Sequence, residues 1–386
     1  MSKAAPLRIL HLHSTFDAGG KERRAVALMN RWARQGGARA IEHHIVSAQP
    51  GSMGARSLID KRVAVFFPFG FPPLAGKLRL SRLQQLARAM RGFDLVLTYN
   101  WGAMDAAMAH AVFAPSMGLA PLVHHEDGFN ADEAGGLKRG RNWYRMVALS
   151  RASALVVPSR GLEEIALGSW RQPRARVHRI LNGIDTAAYA RKPRPDVLPR
   201  VVKRPGEKWL GTLAGLRAVK NLPRMVRAMK ALPPEWHLVI LGEGPEREAI
   251  LAEAMRQEVG HRVHLPGHVA DPAAAIGLFD LFALSSDSEQ APLSVIEAMA
   301  AGLAVVSPAV GDVADMVSEA NRPYVIPPGD DDALAAAVRA LAGDAALRAS
   351  IGKSNRARAR AEFDEGVMAD LYARLYAGAL GRDSFS

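Results

Sequence analysis

The sequence predicts an α/β protein of two domains, each a parallel sheet with helices on both faces. Short apolar runs alternate with helical patterns along most of the chain, and such alternation is the signature of a helix-covered parallel sheet. One stretch rich in Pro and basic residues, 191–205 (RKPRPDVLPRVVKRP), interrupts the alternation, which then starts afresh; it reads as a linker. At 386 residues the chain is also about the length of two ordinary domains.

The elements follow in order. Leu7–Leu12 reads as a strand, then come the glycine pair Gly19-Gly20 and a helix over Lys21–Gln35. Strands are expected at Ile41–Ser47, Val63–Phe67, Leu95–Tyr99, Pro121–His124 and Ala154–Pro158, and helices at Leu78–Met90, Met104–Ala114, Trp143–Ser150 and Arg160–Leu167. Beyond the linker, strands are expected at Lys208–Leu213, His237–Leu241, Val263–Leu265, Leu281–Leu284 and Ala304–Ser307. Helices fall at Pro223–Leu232, Glu246–Glu258, Pro272–Leu278, Pro292–Ala301, Asp332–Ala342 and over much of the C-terminal tail. The domains are therefore placed at 1–190 and 206–365. Residues 366–386 form a terminal helix expected to pack back on the first domain.

Composition narrows the function. Apolar residues make up 49% and charged residues 23%, an ordinary globular balance. With no cysteine, disulfides, thiolate metal sites and a cysteine nucleophile are excluded. The first ten residues predict no secretory signal. The longest apolar stretches, near 103–123 and 298–310, are broken by Asp105, His110, Gly302 and Pro308, so neither is expected to span a bilayer. Residues 1–195 carry 29 Lys+Arg against 13 Asp+Glu, a net +16, while the remainder carries 21 against 25, a net −4. A split of that size points the first domain toward an anionic partner.

The most informative segment is 285–311, SSDSEQAPLSVIEAMAAGLAVVSPAVG. A strand ends in a polar loop carrying Glu289, and Pro292 stands where a first helical residue belongs. The helix behind it aims free N–H groups and the positive dipole end into the crevice beyond a parallel strand, which suits a diphosphate. Pro292, Leu293 and Ser294 open that helix and Glu297 lies on its second turn. The two glutamates are placed to flank bound phosphates, one toward a sugar and one toward a ribose.

Glu289 and Glu297, with EAMAAG and VVSPAVGD behind them, resemble the E-x7-E signature of retaining GT-B glycosyltransferases of sequence family four. FDAGGKERRAVALMNRWARQG resembles that family's glycine-rich acceptor-side loop and first helix, and ILNGIDTAAY its NGVD-x-x-x-F segment. GTLAGLRAVKNLPRMVRAM resembles its basic donor-phosphate motif. LVILGEGPER and VHLPGHVAD resemble its nucleotide-base wall. The resemblance implies two Rossmann-like domains facing across a cleft and retaining, metal-independent transfer of a hexose-type sugar from a nucleotide diphosphate sugar. No cofactor is implied beyond that co-substrate. Donor-binding residues would be Gly242, Gly244, His268, Pro292, Leu293, Ser294 and Glu297, with Glu289 orienting the sugar. Gly19, Gly20, Glu126 and Asp127 would lie on the acceptor side. The acceptor would be a hydroxyl on a lipid-linked or surface-glycan precursor, and the place of work the cytoplasm or the inner face of the cell membrane.

Two positions depart from the pattern. Where the family writes G-R-L-x3-K, this chain has Gly215 at the Arg position, keeps Lys220, and offers Arg217 two places later. Two cations are wanted where charge develops on the leaving diphosphate, so Lys220 and Arg217 are assigned to it. Gln290 stands where the family commonly has Gly.

At the end of a strand, LVHHED carries His124, His125, Glu126 and Asp127, and crevices there host ligands. The resemblance places a His near the transferred sugar. Among His124, His125 and Asp127 the sequence does not choose. A metal held by all four is rejected, since neighbours in an extended strand point to opposite faces. Asp330–Asp332, the one Asp-x-Asp, opens a helix and reads as a cap.

GEGPE at 242–246 lacks the full dinucleotide pattern, and no G-x-S-x-G elbow is present. A basic nucleic-acid-binding protein is disfavoured, with no basic stripe interleaved with aromatics. A sugar-nucleotide epimerase of the same architecture is the nearest enzyme alternative. Finally, LAGKLRLSRLQQLARAM at 74–90 sets Lys77, Arg79, Arg82 and Arg88 around a leucine face, just after Phe66, Phe67, Phe69 and Phe71. That pattern suits a core-facing helix that also meets an anionic membrane surface.

Overall fold

The computed structural model describes residues 5–37, 41–129, 133 and 136–385. The chain divides into two compact units, 1–181 with 368–386, and 182–367.

The first unit holds β1 (Leu7–His13), α1 (Gly20–Trp32), β2 (Ile41–Ser47), β3 (Ala64–Phe66), α2 (Leu80–Ala89), β4 (Leu95–Tyr99), α3 (Met104–Met117), β5 (Leu122–His125), α4 (Arg139–Ala148), β6 (Ala154–Val157), α5 (Arg160–Gly168) and β7 (Val177–Arg179). Its sheet runs β3-β2-β1-β4-β5-β6-β7, and every pairing is parallel. Side chains alternate between two cores. Ile9, Leu97, Val123 and Val156 join Met29 and Trp32 of α1 on one face. Leu10, Leu12, Val96, Leu122 and Leu155 join Leu83 and Leu86 of α2 and Leu162 of α5 on the other. Burial on both faces is why these strands read as nearly continuous apolar runs. Each fully buried Leu, Ile, Val or Met contributes about 1.5–3 kcal/mol.

The second unit opens with α6 (Thr186–Tyr189), then β8 (Lys208–Leu213), α7 (Leu222–Ala228), β9 (Trp236–Leu241), α8 (Arg247–Arg256), β10 (Val263–Gly267), β11 (Leu281–Ala283), α9 (Leu293–Ala301), β12 (Val305–Pro308), α10 (Val313–Met316), β13 (Val325–Ile326), α11 (Asp331–Gly343) and α12 (Ala345–Glu362). Its sheet order is β10-β9-β8-β11-β12-β13, again all parallel. A last helix, α13 (Glu365–Ala379), starts in this unit. Its Met368, Ala369, Tyr372 and Tyr376 then enter the first unit's α1-side core. Residues 191–205 carry neither helix nor strand and count with the second unit.

Two expectations are corrected. The helix expected over Pro272–Leu278 is two single 3-10 turns, Pro272–Ala274 and Ile276–Leu278, which turn the chain so that the Phe279 ring covers Gly211, where a Cβ would collide with it. Pro292 is the residue before the first helical turn, with ψ 118°, not the first residue within it. The edge strands β7 and β13, of three and two residues, are too short to leave a periodic signal.

Candidate active site

In the second unit the strand order reverses at β8, which lies between β9 and β11. A ligand crevice is expected beyond the carboxyl ends of strands at such a point. The loops leaving β8 and β11 carry Arg217, Lys220 and Glu289, and they are laced together. Ser285 Oγ donates to the Lys220 carbonyl at 2.9 Å, and the Asp287 N–H to the Val219 carbonyl at 2.9 Å. Beneath them Arg224 binds the Ser285 carbonyl at 3.2 Å and pairs with Asp287 at 3.1 Å and Asp331 at 2.6 Å. On this platform Lys220 Nζ meets Glu289 Oε1 at 2.5 Å, and Ser286 Oγ donates to the same oxygen at 2.6 Å. Both charged side chains stay partly open, 14% and 11% exposed. Arg217 stands exposed on the same loop, with no ion pair among the described residues.

Helix α9 begins behind Glu289. No side chain caps it; the Val295 N–H bonds back to the Pro292 carbonyl at 3.1 Å, and the Leu293 and Ser294 N–H groups stand at its open end, where a helix has no acceptors of its own. Pro292 is buried, while Leu293 and Ser294 are half-buried. Glu297, on the second turn, accepts a hydrogen bond from the Tyr189 hydroxyl at 2.8 Å. The departure at Gln290 is absorbed by the backbone. Its carbonyl accepts from the Asp312 N–H at 2.8 Å, and Gly311, in the left-handed region at φ +55°, lets the chain pass where a Cβ would strike that carbonyl.

Gly242 and Gly244 follow β9 with φ +145° and +155°, and a Cβ at either would collide with the carbonyl oxygens of Ala214 and Leu216. Their first task is to let the β9 loop lie against the loop that leads to Lys220. His268 is exposed, and its N–H reaches Glu243 Oε1 at 3.4 Å. Asp330 caps α11, accepting from the Ala333 N–H at 2.8 Å, and Asp331 pairs with Arg224 and Arg227. No group of metal-ligating side chains occurs among the described residues.

In the first unit the corresponding reversal is at β1, between β2 and β4. Gly19 and Gly20 are exposed and start α1. Next in α1, Lys21 binds the Thr15 carbonyl at 3.0 Å and pairs with Glu22. Arg24 grips Asp127 with both terminal nitrogens, Nη2 to Oδ2 at 2.9 Å. Burial opposes the Arg24 charge, but Asp127 more than offsets it and raises its pKa. Asp127 keeps 14% side-chain exposure.

The neighbouring LVHHED residues differ in what they face. His124 is fully buried, with Nδ1 at 2.8 Å from Thr98 Oγ1. Glu126, expected on the acceptor-side loop, points inward at 0% exposure, 3.5 Å from the equally buried Arg145. His125 faces the opposite side, stacked on Tyr99 at 4.5 Å with Nε2 at 2.8 Å from the Tyr376 hydroxyl. Burial, with Arg24 nearby, holds its pKa well below the usual histidine value. Of the three alternatives only Asp127 reaches solvent. Sequence reasoning missed Arg24, Ser286 and Tyr189, whose signal lay inside motifs already quoted: GGKERR, SSDSE and NGIDTAAY. It also missed His13, the buried last residue of β1, stacked on Tyr99 at 4.0 Å.

Two family models match the chain. Residues 18–188 fit Glycosyltransferase Family 4, and residues 195–358 fit Glycosyl transferases group 1. N-acetyl-alpha-D-glucosaminyl L-malate synthase of Bacillus anthracis is 24% identical over 214 residues, covering 55% of this chain and 56% of that protein. The lipopolysaccharide core biosynthesis mannosyltransferase LpcC of Rhizobium leguminosarum bv. viciae is 26% identical over 210 residues, 52% of this chain and 60% of that one. The match thus spans less than two thirds of either relative. The crystal structure of Anabaena HepE in complex with UDP superposes with a TM-score of 0.77 at 18% identity, covering 96% of this chain and all (100%) of that one. With two Rossmann-like sheets and family models matched along both halves, the chain belongs to the group 1 glycosyltransferases of GT-B fold, and it is an enzyme of that class.

Proposed function

We propose that this glycosyltransferase moves a hexose-type sugar from a nucleoside diphosphate sugar to a hydroxyl acceptor, with retention of configuration and without a metal. The observation that carries the reading is the Lys220–Glu289 pair, held at 2.5 Å beside the uncapped start of α9. A diphosphate seated on the α9 N–H groups would be met by Lys220 from one side and by exposed Arg217 from the same loop. Fixed cations and a helix dipole are what a departing diphosphate needs. Glu289 would turn from Lys220 to the sugar hydroxyls. Glu297 lies four residues past Leu293, about 6 Å along the helix axis, which suits the ribose of the same nucleotide. Gly242, Gly244 and His268 would border the base. HepE is crystallised with UDP, which makes UDP the first nucleotide to try.

On the acceptor side, Gly19, Gly20, Lys21 and the Arg24–Asp127 pair are the groups to meet the incoming hydroxyl. We assign a lipid-linked or surface-glycan acceptor reached at an anionic membrane surface on the cytoplasmic side. The +16 charge of residues 1–195 supports this. So do Leu78 and Leu80, exposed by 58% and 67% beside exposed Lys77, Arg79 and Arg88. No helix of the described residues is long and apolar enough to cross a membrane.

Thermal unfolding with UDP, GDP and ADP in excess EDTA tests the donor site. One nucleotide should raise the midpoint by several degrees, since a ligand at a hundred times its Kd adds about 2.7 kcal/mol. Lys220→Gln should remove most of that shift. A shift that appears only with magnesium or manganese would overturn the metal-free reading.

A further inference from the structure

We infer that Tyr189 is a positioning residue for the donor: its hydroxyl sets the Glu297 carboxylate toward the ribose. This rests on the reading of Glu297 given above and adds a residue to it. Tyr189 closes α6, a single turn fixed at its start by Asp185, whose carboxylate accepts from the N–H groups of Ala187 and Ala188 at 3.1 Å. The turn is anchored again where Thr186 Oγ1 donates to Asp364 at 2.5 Å and the Ile184 N–H to the Phe363 carbonyl at 3.0 Å. Tyr189 itself is 8% exposed, so its ring is held on a stiff two-torsion stem. From there its hydroxyl reaches Glu297 Oε1 at 2.8 Å.

The physical consequence concerns order before binding. A glutamate has three side-chain torsions and loses much rotamer freedom when a ligand fixes it. A charge-assisted hydrogen bond from a buried, rigid donor removes that freedom in advance. Such pre-organisation appears as affinity for the group the carboxylate contacts. If that group is the ribose diol, the benefit belongs to ribonucleotides and is absent for analogues lacking a hydroxyl there. A tyrosine that merely packed α6 against α9 would give no such selectivity.

Tyr189→Phe keeps the ring and removes the hydroxyl. The probe is whichever of UDP, GDP and ADP gives the largest thermal shift, compared by calorimetry with its 2′-deoxy and 3′-deoxy forms in wild type, Y189F and E297Q. The expected result is a wild-type preference for the ribonucleotide that shrinks roughly threefold to tenfold in Y189F, about the net contribution of one ordinary hydrogen bond. Affinity for at least one deoxy form should hardly change. If Y189F weakens ribo and deoxy forms equally, or leaves the preference intact while E297Q erases it, Tyr189 does not position Glu297 and only this inference falls. If the preference survives in E297Q, Glu297 does not hold the ribose, and the assignment of Glu297 falls together with the inference.

Discussion

Lys220 and Glu289 sit on loops from different strands, 69 residues apart in sequence, and still meet at 2.5 Å. The carboxylate already carries the Ser286 hydroxyl, so its direction is set by two neighbours. Glu289→Gln preserves this shape and deletes the charge. Turnover, read as release of the nucleoside diphosphate, should fall on the order of a hundredfold, the usual cost of losing one oriented polar group at a reacting centre. Because the side chain is not part of the core, the melting temperature should stay within about 2 °C. Near wild-type turnover in a stable variant would remove Glu289 from the site. At this scale the residues proposed for the donor were legible in the sequence, because Lys220, Glu289 and Glu297 each belong to a contiguous motif. The acceptor side was less so. His125 is covered by Tyr376, 251 residues away, and no local pattern reveals a lid that arrives from so far along the chain.

Among elements, α13 decides how the first unit's polar interior behaves. His11, His13, His43 and His125 are all buried. Tyr99 stacks on His11, His13 and His125, and the Tyr376 hydroxyl of α13 meets the last of these at Nε2, 2.8 Å away. Burial is the leading reason that each of these histidines has a lowered pKa, with His43 brought down to about 3. In the unfolded chain they titrate near 6.5. Stability from them is therefore complete above about pH 6.5 and is lost as pH falls below it, by about 1.4 kcal/mol per pH unit for each proton taken up only on unfolding. Melting temperature should be flat from pH 8 to 7 and drop steadily between pH 6.5 and 5, a window above the carboxylate range. A flat profile there would mean these rings are charged or exposed. The main strands and helices were legible because both-face burial gives long apolar runs and helices keep their own period. The two edge strands and the 272–278 turns were not, since two or three residues carry no period.

For the whole molecule, charge is the property that no single element accounts for. Residues 1–195 hold a net +16 and the remainder −4. On α2 and the segment before it, Lys77, Arg79 and Arg88 are exposed, with Phe69 fully open and Phe66 46% exposed nearby. Arg82 differs from the expectation: its guanidinium is committed to Asp105 and to the Gly76 carbonyl at 3.2 Å, so it braces the segment. Each free cation near an anionic surface contributes about 1 kcal/mol, within a Debye length of about 8 Å. The chain should co-sediment with phosphatidylglycerol vesicles and not with phosphatidylcholine, and release at high salt. Lys77→Gln, Arg79→Gln and Arg88→Gln together should lower binding by roughly thirtyfold to a hundredfold, the loss of two to three such contributions. Indifference to vesicle charge would return the acceptor to solution.

The path of α13 also has a meaning in time. The first unit's core contains Met368, Ala369, Tyr372, Tyr376 and Phe385 beside residues from β1 and α1, with all of 182–367 lying between in sequence. On a ribosome adding roughly 5–20 residues per second, β1 to β7 emerge on the order of ten seconds or more before their remaining core partners. Until then the apolar face that will receive Tyr372 and Tyr376, and the His125 ring beneath it, stand uncovered. The domain begun first is thus the one whose core is finished last.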